Sequence, residues 1–79
     1  RVPLVMPDLD LPPQQAVTVS CWLVPQGRAV FEGDRLLELA AGEVTVDLPA
    51  PATGRLVEKL VAEGEVVAVN QVLGTIQAE

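Results

Sequence analysis

The 79-residue chain carries eleven acidic and five basic side chains, a formal net charge of −6, and its residues are 49% hydrophobic but only 3% aromatic. No basic patch exists to offset phosphate charge, so nucleic acid is disfavoured as a partner. There is no histidine and Cys21 is the single cysteine, which excludes imidazole-based triads, His-ligated metals, internal disulfides and cysteine metal clusters.

This length allows one small domain. Seven prolines and six glycines argue for short strands and turns rather than long helices. No apolar run approaches the roughly 20 residues of a membrane span, and no signal peptide is evident. Neither a membrane nor a secretory route is expected, and a cytoplasmic location fits the lone cysteine. The chain starts at Arg1 without a methionine, so residues 1–79 are expected to be a single domain excised from a longer protein.

Val2 to Met6 reads as a strand with Val2, Leu4 and Met6 on one face. Pro3 has no N–H to donate, which places this strand at a sheet edge. Asp8 to Ala16 follows as a surface loop stiffened by Pro12-Pro13, with Leu9 and Leu11 expected to tuck beneath it. Val17 to Val24 reads as a second strand, with Val17, Val19, Cys21 and Leu23 on one face and Thr18, Ser20 and Trp22 on the other. Cys21 is expected as a small buried residue, and Trp22 as a cover on a barrel end or flank.

Turns through Gly27 and Gly33 lead into Arg35–Leu39. There Leu37 and Leu39 alternate with Glu38, just as Val44, Val46 and Leu48 alternate with Thr45 and Asp47. Two half-buried strands are therefore expected on either side of a glycine-containing turn at 41–43, forming a hairpin. A stiff bend from Pro49 to Gly54 closes the hairpin. Arg55 to Val61 is a strand of ambiguous periodicity, Gly64 marks a turn, and Val72–Ile76 is the last strand.

The chain is internally duplicated. At an offset of 37 residues, Val24, Gly27, Val30, Gly33 and Leu36 fall on Val61, Gly64, Val67, Asn70 and Leu73. Gly and Asn both tolerate positive φ, so both halves call for the same left-handed turn. The first strand matches Val44–Pro49 at an offset of 42, which puts five extra residues in the first loop. Two such halves related by an approximate two-fold axis would bury together what neither could bury alone. The hairpin would then stand at one end with loop 8–16 on its side, and both termini would stand at the other end.

Val5-Met6-Pro7-Asp8-Leu9, Trp22-Leu23-Val24 with Gly27, Glu32-Gly33-Asp34 with Leu36, and Val46 to Gly54 together resemble the lipoyl domains of 2-oxo acid dehydrogenase acyltransferases, within the biotinyl/lipoyl family. The resemblance covers nearly the whole chain. It implies an all-β flattened barrel of two four-stranded antiparallel sheets, a non-catalytic carrier-like module, protein partners in a multienzyme complex, and a parent acyltransferase. It also implies a lipoyl group on the lysine of an Asp-Lys pair at the hairpin tip. That pair falls on Gly42-Glu43 here, and a carboxylate cannot form the amide that a ligase makes on an amine. No competent cofactor site is therefore expected, and Lys59, the one lysine, lies inside a strand.

The leading expectation is a non-lipoylated docking or structural module, monomeric as a domain, that meets its partner through Asp8, Leu9, Asp10, Leu11, Gly42 and Glu43. A genuine swinging-arm carrier with an altered lysine is one alternative. An assembly module of an efflux adaptor is another, although its halves would usually be split by a helical hairpin. Glu38, Glu43 and Asp47 lie near one another in sequence, but no apolar pocket is evident to raise a carboxyl pKa for catalysis.

Overall fold

The computed structural model describes residues 1–79, and every regular element in it is a β-strand. In chain order these are β1 (Val2–Val5), β2 (Val17–Trp22), β3 (Ala29–Val30), β4 (Arg35–Ala41), β5 (Val44–Pro49), β6 (Gly54–Lys59), β7 (Val66–Val67) and β8 (Val72–Ala78). They form two four-stranded antiparallel sheets, ordered β1-β8-β6-β3 and β5-β4-β2-β7. Advancing each strand by four converts one sheet order into the other, so the duplication in sequence is a two-fold in space. Each sheet takes strands from both halves, so neither half can close a sheet alone. β1 is an edge strand, which lets Pro3 lack an N–H without breaking a ladder bond.

The positive φ values fall where the repeat asks for them: Gly27 at 94°, Gly33 at 93°, Gly64 at 85° and Asn70 at 72°. The offset of the first strand is corrected. Met6 donates its N–H to the Gln71 carbonyl and accepts from Asn70. Ala50 does the same with Asp34 and Gly33. Met6 therefore matches Ala50, an offset of 44 rather than 42, and the first loop carries seven extra residues rather than five. A period-two pattern looks the same after a shift of two, so alternation could not tell the registers apart.

A second correction concerns faces. In β2, Val19 pairs with Leu39 but Cys21 pairs with Glu38, so Ser20 is an extra residue in a bulge. In β6, Leu56 pairs with Ile76 but Glu58 pairs with Thr75, which puts the equivalent bulge at Val57. A bulge reverses the alternation that follows it. Cys21, expected to be buried beside Val17 and Val19, instead faces outward beside Glu38 and is half-exposed. Trp22 takes the inner side opposite Leu37, where it packs against the core and donates Nε1–H to the Val61 carbonyl at 2.9 Å. The same reversal explains the ambiguous periodicity of residues 55–61. Both strands end sooner than alternation suggested, at Trp22 and Lys59, and Leu23 is exposed.

Leu36, Leu37, Leu39, Leu56, Leu73 and Ile76 form the fully buried centre, joined by Leu4, Met6, Val19 and Leu48. Trp22 fits among them because the residue matching Leu37 in the other half is Gly74. A Cβ there would lie 3.0 Å from Trp22 Cη2 and 2.6 Å from the Glu58 carbonyl oxygen. The molecule measures 38 × 18 × 18 Å. The pairing of Val2 with Ile76 holds both termini together, and the two-fold puts the β4–β5 turn at the opposite end.

Candidate functional site

The tip is a minimal hairpin. Ala41 pairs with Val44, so Gly42 and Glu43 make up the whole loop. Gly42 has φ of 63° and Glu43 stays on the negative side. Positive φ at the first central residue alone is the pattern of a type II′ turn, which favours glycine at that position and suits the twist of the flanking strands. Glu43 and Val44 project into solvent.

Loop 8–16 reaches this turn. Asp8 Oδ1 accepts the Asp10 N–H at 2.8 Å, and Asp10 itself has φ of 58°. Gln15 donates its backbone N–H to the Pro12 carbonyl at 2.9 Å, which closes a turn over Pro12-Pro13. The Gln15 side chain donates Nε2–H to the Ala16 carbonyl at 3.0 Å. That bond leaves Oε1 3.5 Å from where a Cβ on Gly42 would stand. Of the two loop leucines, Leu9 tucks against the core as expected. Leu11 does not and is exposed; Asp10, with its positive φ, lies between the two.

The structure thus brings Gly42 and Glu43 to one end of the fold beside the loop that carries Asp8, Leu9, Asp10 and Leu11. Gln15, the loop residue that lies beside Gly42, was not among the sequence candidates. The only signal for it was the extra length of the first loop.

A lipoyl or biotinyl group is held as an amide on a lysine amine, and the tip offers a carboxylate in its place. Neither Gly42 nor Glu43 carries an amine. Lys59 sits on β6 opposite Gly74, half-buried, with Nζ 5.4 Å from the Trp22 ring centroid, and belongs to no turn. Glu38 and Asp47 are cross-strand neighbours on the outer face. Glu38 accepts Ser20 Oγ–H at 2.8 Å and Cys21 Sγ–H at 3.6 Å. Desolvation, and then the Glu38 carboxylate, push the Cys21 thiol above its ordinary pKa. This disfavours the thiolate that nucleophilic chemistry needs.

A family model for biotin/lipoyl domains, described as "Biotin-requiring enzyme", matches residues 5–76. The chain is 41% identical over 61 residues to the dihydrolipoyllysine-residue succinyltransferase component of the 2-oxoglutarate dehydrogenase complex of Bartonella vinsonii subsp. berkhoffii, covering 77% of this chain and 15% of that protein. The Escherichia coli K12 protein of the same description is 34% identical over 76 residues, covering 96% of this chain and 18% of that protein. The chain therefore spans less than a fifth of the length of these relatives. Among solved structures, the lipoyl domain of the Azotobacter vinelandii 2-oxoglutarate dehydrogenase complex superposes with a TM-score of 0.72 at 23% identity, covering 94% of this chain and 95% of that one. A single-chain, multi-domain long-chain acyl-CoA carboxylase gives a TM-score of 0.67 at 31% identity, over 85% of this chain and 7% of that one.

Proposed function

The chain belongs to the biotin/lipoyl domain family, and on that premise we propose that it is a lipoyl-type domain without a swinging arm. It acts as a non-catalytic docking module within an acyltransferase of a 2-oxo acid dehydrogenase-type complex. One observation carries this reading. The scaffold that would present the arm is complete, yet its two-residue tip is Gly42-Glu43 and has no amine to acylate.

A swinging-arm domain does no chemistry itself and works by being recognised at its tip and the adjacent loop. With the arm removed, recognition remains. The partner face comprises Asp8, Leu9, Asp10 and Leu11 on the loop and Gly42 and Glu43 on the turn, with Gln15 of that loop lying beside Gly42. The partner is a protein component of the complex, with the 2-oxo acid decarboxylase the leading candidate.

A genuine carrier is the second reading. It is favoured by the relatives, which are dihydrolipoyllysine-residue acyltransferases. An NMR titration of the labelled domain with the decarboxylase component of a 2-oxoglutarate dehydrogenase complex tests the docking role. Shifts gathered in residues 8–16 and 41–43 are expected. A silent titration, or shifts confined to the end that holds the termini, overturns it.

A further inference from the structure

The second half packs an equivalent core with only the short bend from Pro51 to Thr53, so the seven extra residues of the first loop, beyond packing Leu9, are available for another use. They build one wall of a groove of about 430 Å³. Leu11 and Pro12 form that wall, Val66 and Val69 on and beyond β7 form the other, and Met6 and Val17 lie at the base. Val66 is 62% exposed, Val69 50% and Leu11 38%, so the groove is lined with aliphatic surface left in water.

β7 is an edge strand. Val19 N–H bonds to the Glu65 carbonyl, so the next pair, Thr18 and Val66, is the non-hydrogen-bonded one of the antiparallel ladder. The N–H and C=O of Val66 therefore point away from β2, and neither makes a bond outside the ladder.

Charge decides what kind of segment would sit there. Asp8 lines the groove on the loop side, Asp10 follows it in the same loop, Glu65 precedes Val66, and Glu43 follows Gly42, beside which Gln15 of the groove lies. No basic residue occurs in segments 8–17, 40–46 or 62–71. Of the five cations, Arg1 and Arg35 are paired with Glu58 and Asp47, Lys59 lies on Trp22, and Arg55 bonds to the Gly27 carbonyl near Arg28. An aliphatic trough lined by Asp8 and built from segments that carry acids and no cation, with a free strand edge, is complementary to an extended segment that alternates basic and aliphatic side chains.

We propose that the groove between loop 8–16 and β7 docks an extended basic segment of a partner protein, with its aliphatic side chains on Val66, Val69 and Leu11. This rests on the docking reading only for the idea that this end of the domain faces a protein.

The probe is the peptide acetyl-Lys-Val-Lys-Leu-Lys-Val-Lys-amide, titrated into the 15N-labelled chain. Shifts centred on Leu11, Val66 and Val69 are expected, weakening as ionic strength rises from about 0.01 M to about 0.15 M. The pair Val66→Ser with Val69→Ser should loosen binding about tenfold. Asp10→Asn with Glu65→Gln should loosen it about threefold, and the same peptide with glutamate for lysine should not bind. No shifts, or affinity that survives the serine pair while shifts spread over the acidic surface, overturns the proposal. Peptide binding in the groove with no response to the decarboxylase removes that partner and leaves the groove. The converse removes the groove and leaves the partner.

Discussion

Lys59 and Trp22 hold the same place in the two halves of the fold, 37 residues apart, and one lies over the other: Lys59 Nζ is 5.4 Å from the Trp22 ring centroid. An ammonium over an indole face is worth about 0.5–1 kcal/mol at a partly exposed site. Lys59→Met keeps the aliphatic stem and removes the charge. It should lower the unfolding free energy by about that amount in urea titrations, with an unchanged slope.

Glycine is required where strands approach too closely for a side chain. A Cβ at Gly54 would stand 2.0 Å from the Gln77 carbonyl oxygen, and one at Gly74 2.6 Å from that of Glu58. In both cases the obstacle is backbone, which cannot swing aside. Gly74→Ala should cost about 1–3 kcal/mol and Gly54→Ala more, as read by thermal melts. A Gly54→Ala melt equal to wild type would show that the β6–β8 pairing differs from the one described.

The tip can be rebuilt. Wild-type chain incubated with a lipoate ligase, ATP and lipoate should keep its mass. Gly42→Asp with Glu43→Lys should gain one lipoyl group. Asp tolerates positive φ, and the neighbouring Gln15 Oε1 at 3.5 Å from the new Cβ is in ordinary contact, so the fold should survive at a cost of about 1 kcal/mol. A folded, unmodified double variant would mean that recognition has diverged beyond the turn. Modified wild type would name Lys59 as the acceptor and end the docking-only reading.

Glu58 ties the edge strand β1 to β6. Its carboxylate accepts Thr75 Oγ1–H at 2.8 Å and pairs with Arg1 at 2.6 Å. These partners, Thr75 first and then Arg1, hold its pKa below the ordinary value. A carboxylate with a depressed folded-state pKa adds stability in full above the unfolded value of about 4.3. That stability is lost as pH falls through the folded value. Glu58→Gln should remove this part of the acid dependence, seen as a flatter stability–pH curve below about pH 4.5 and no change in slope near neutrality.

Cys21 faces outward yet should react slowly. Its raised pKa, caused by desolvation first and Glu38 second, leaves less thiolate at a given pH. Iodoacetamide should modify it more slowly than free cysteine at pH 8, and Glu38→Gln should speed the reaction. Equal rates in both proteins would mean that desolvation alone sets the thiol.

Much of this was readable from the chain. Alternation around Gly42 located the hairpin, Pro3 located the edge strand, and the pairing of Gly33 with Asn70 announced the repeat, because each of these signals is local and steric. The resemblance in Val46 to Gly54 pointed to the family, and Gly42-Glu43 could be placed at the hairpin turn without coordinates. The bulges at Ser20 and Val57 could not be seen, since an extra residue in a strand leaves no mark on composition and is stabilised by what lies across the ladder. They turned Cys21 out and Trp22 in, a reversal of what alternation implies. The offset of 44 was hidden for a related reason: a strand shifted by two residues presents the same faces, and only its hydrogen-bond partners distinguish the registers. The approach of Gln15 to Gly42 and the groove beside Val66 follow from that offset. Both are meetings of segments far apart in sequence, fixed by how two sheets close on one core.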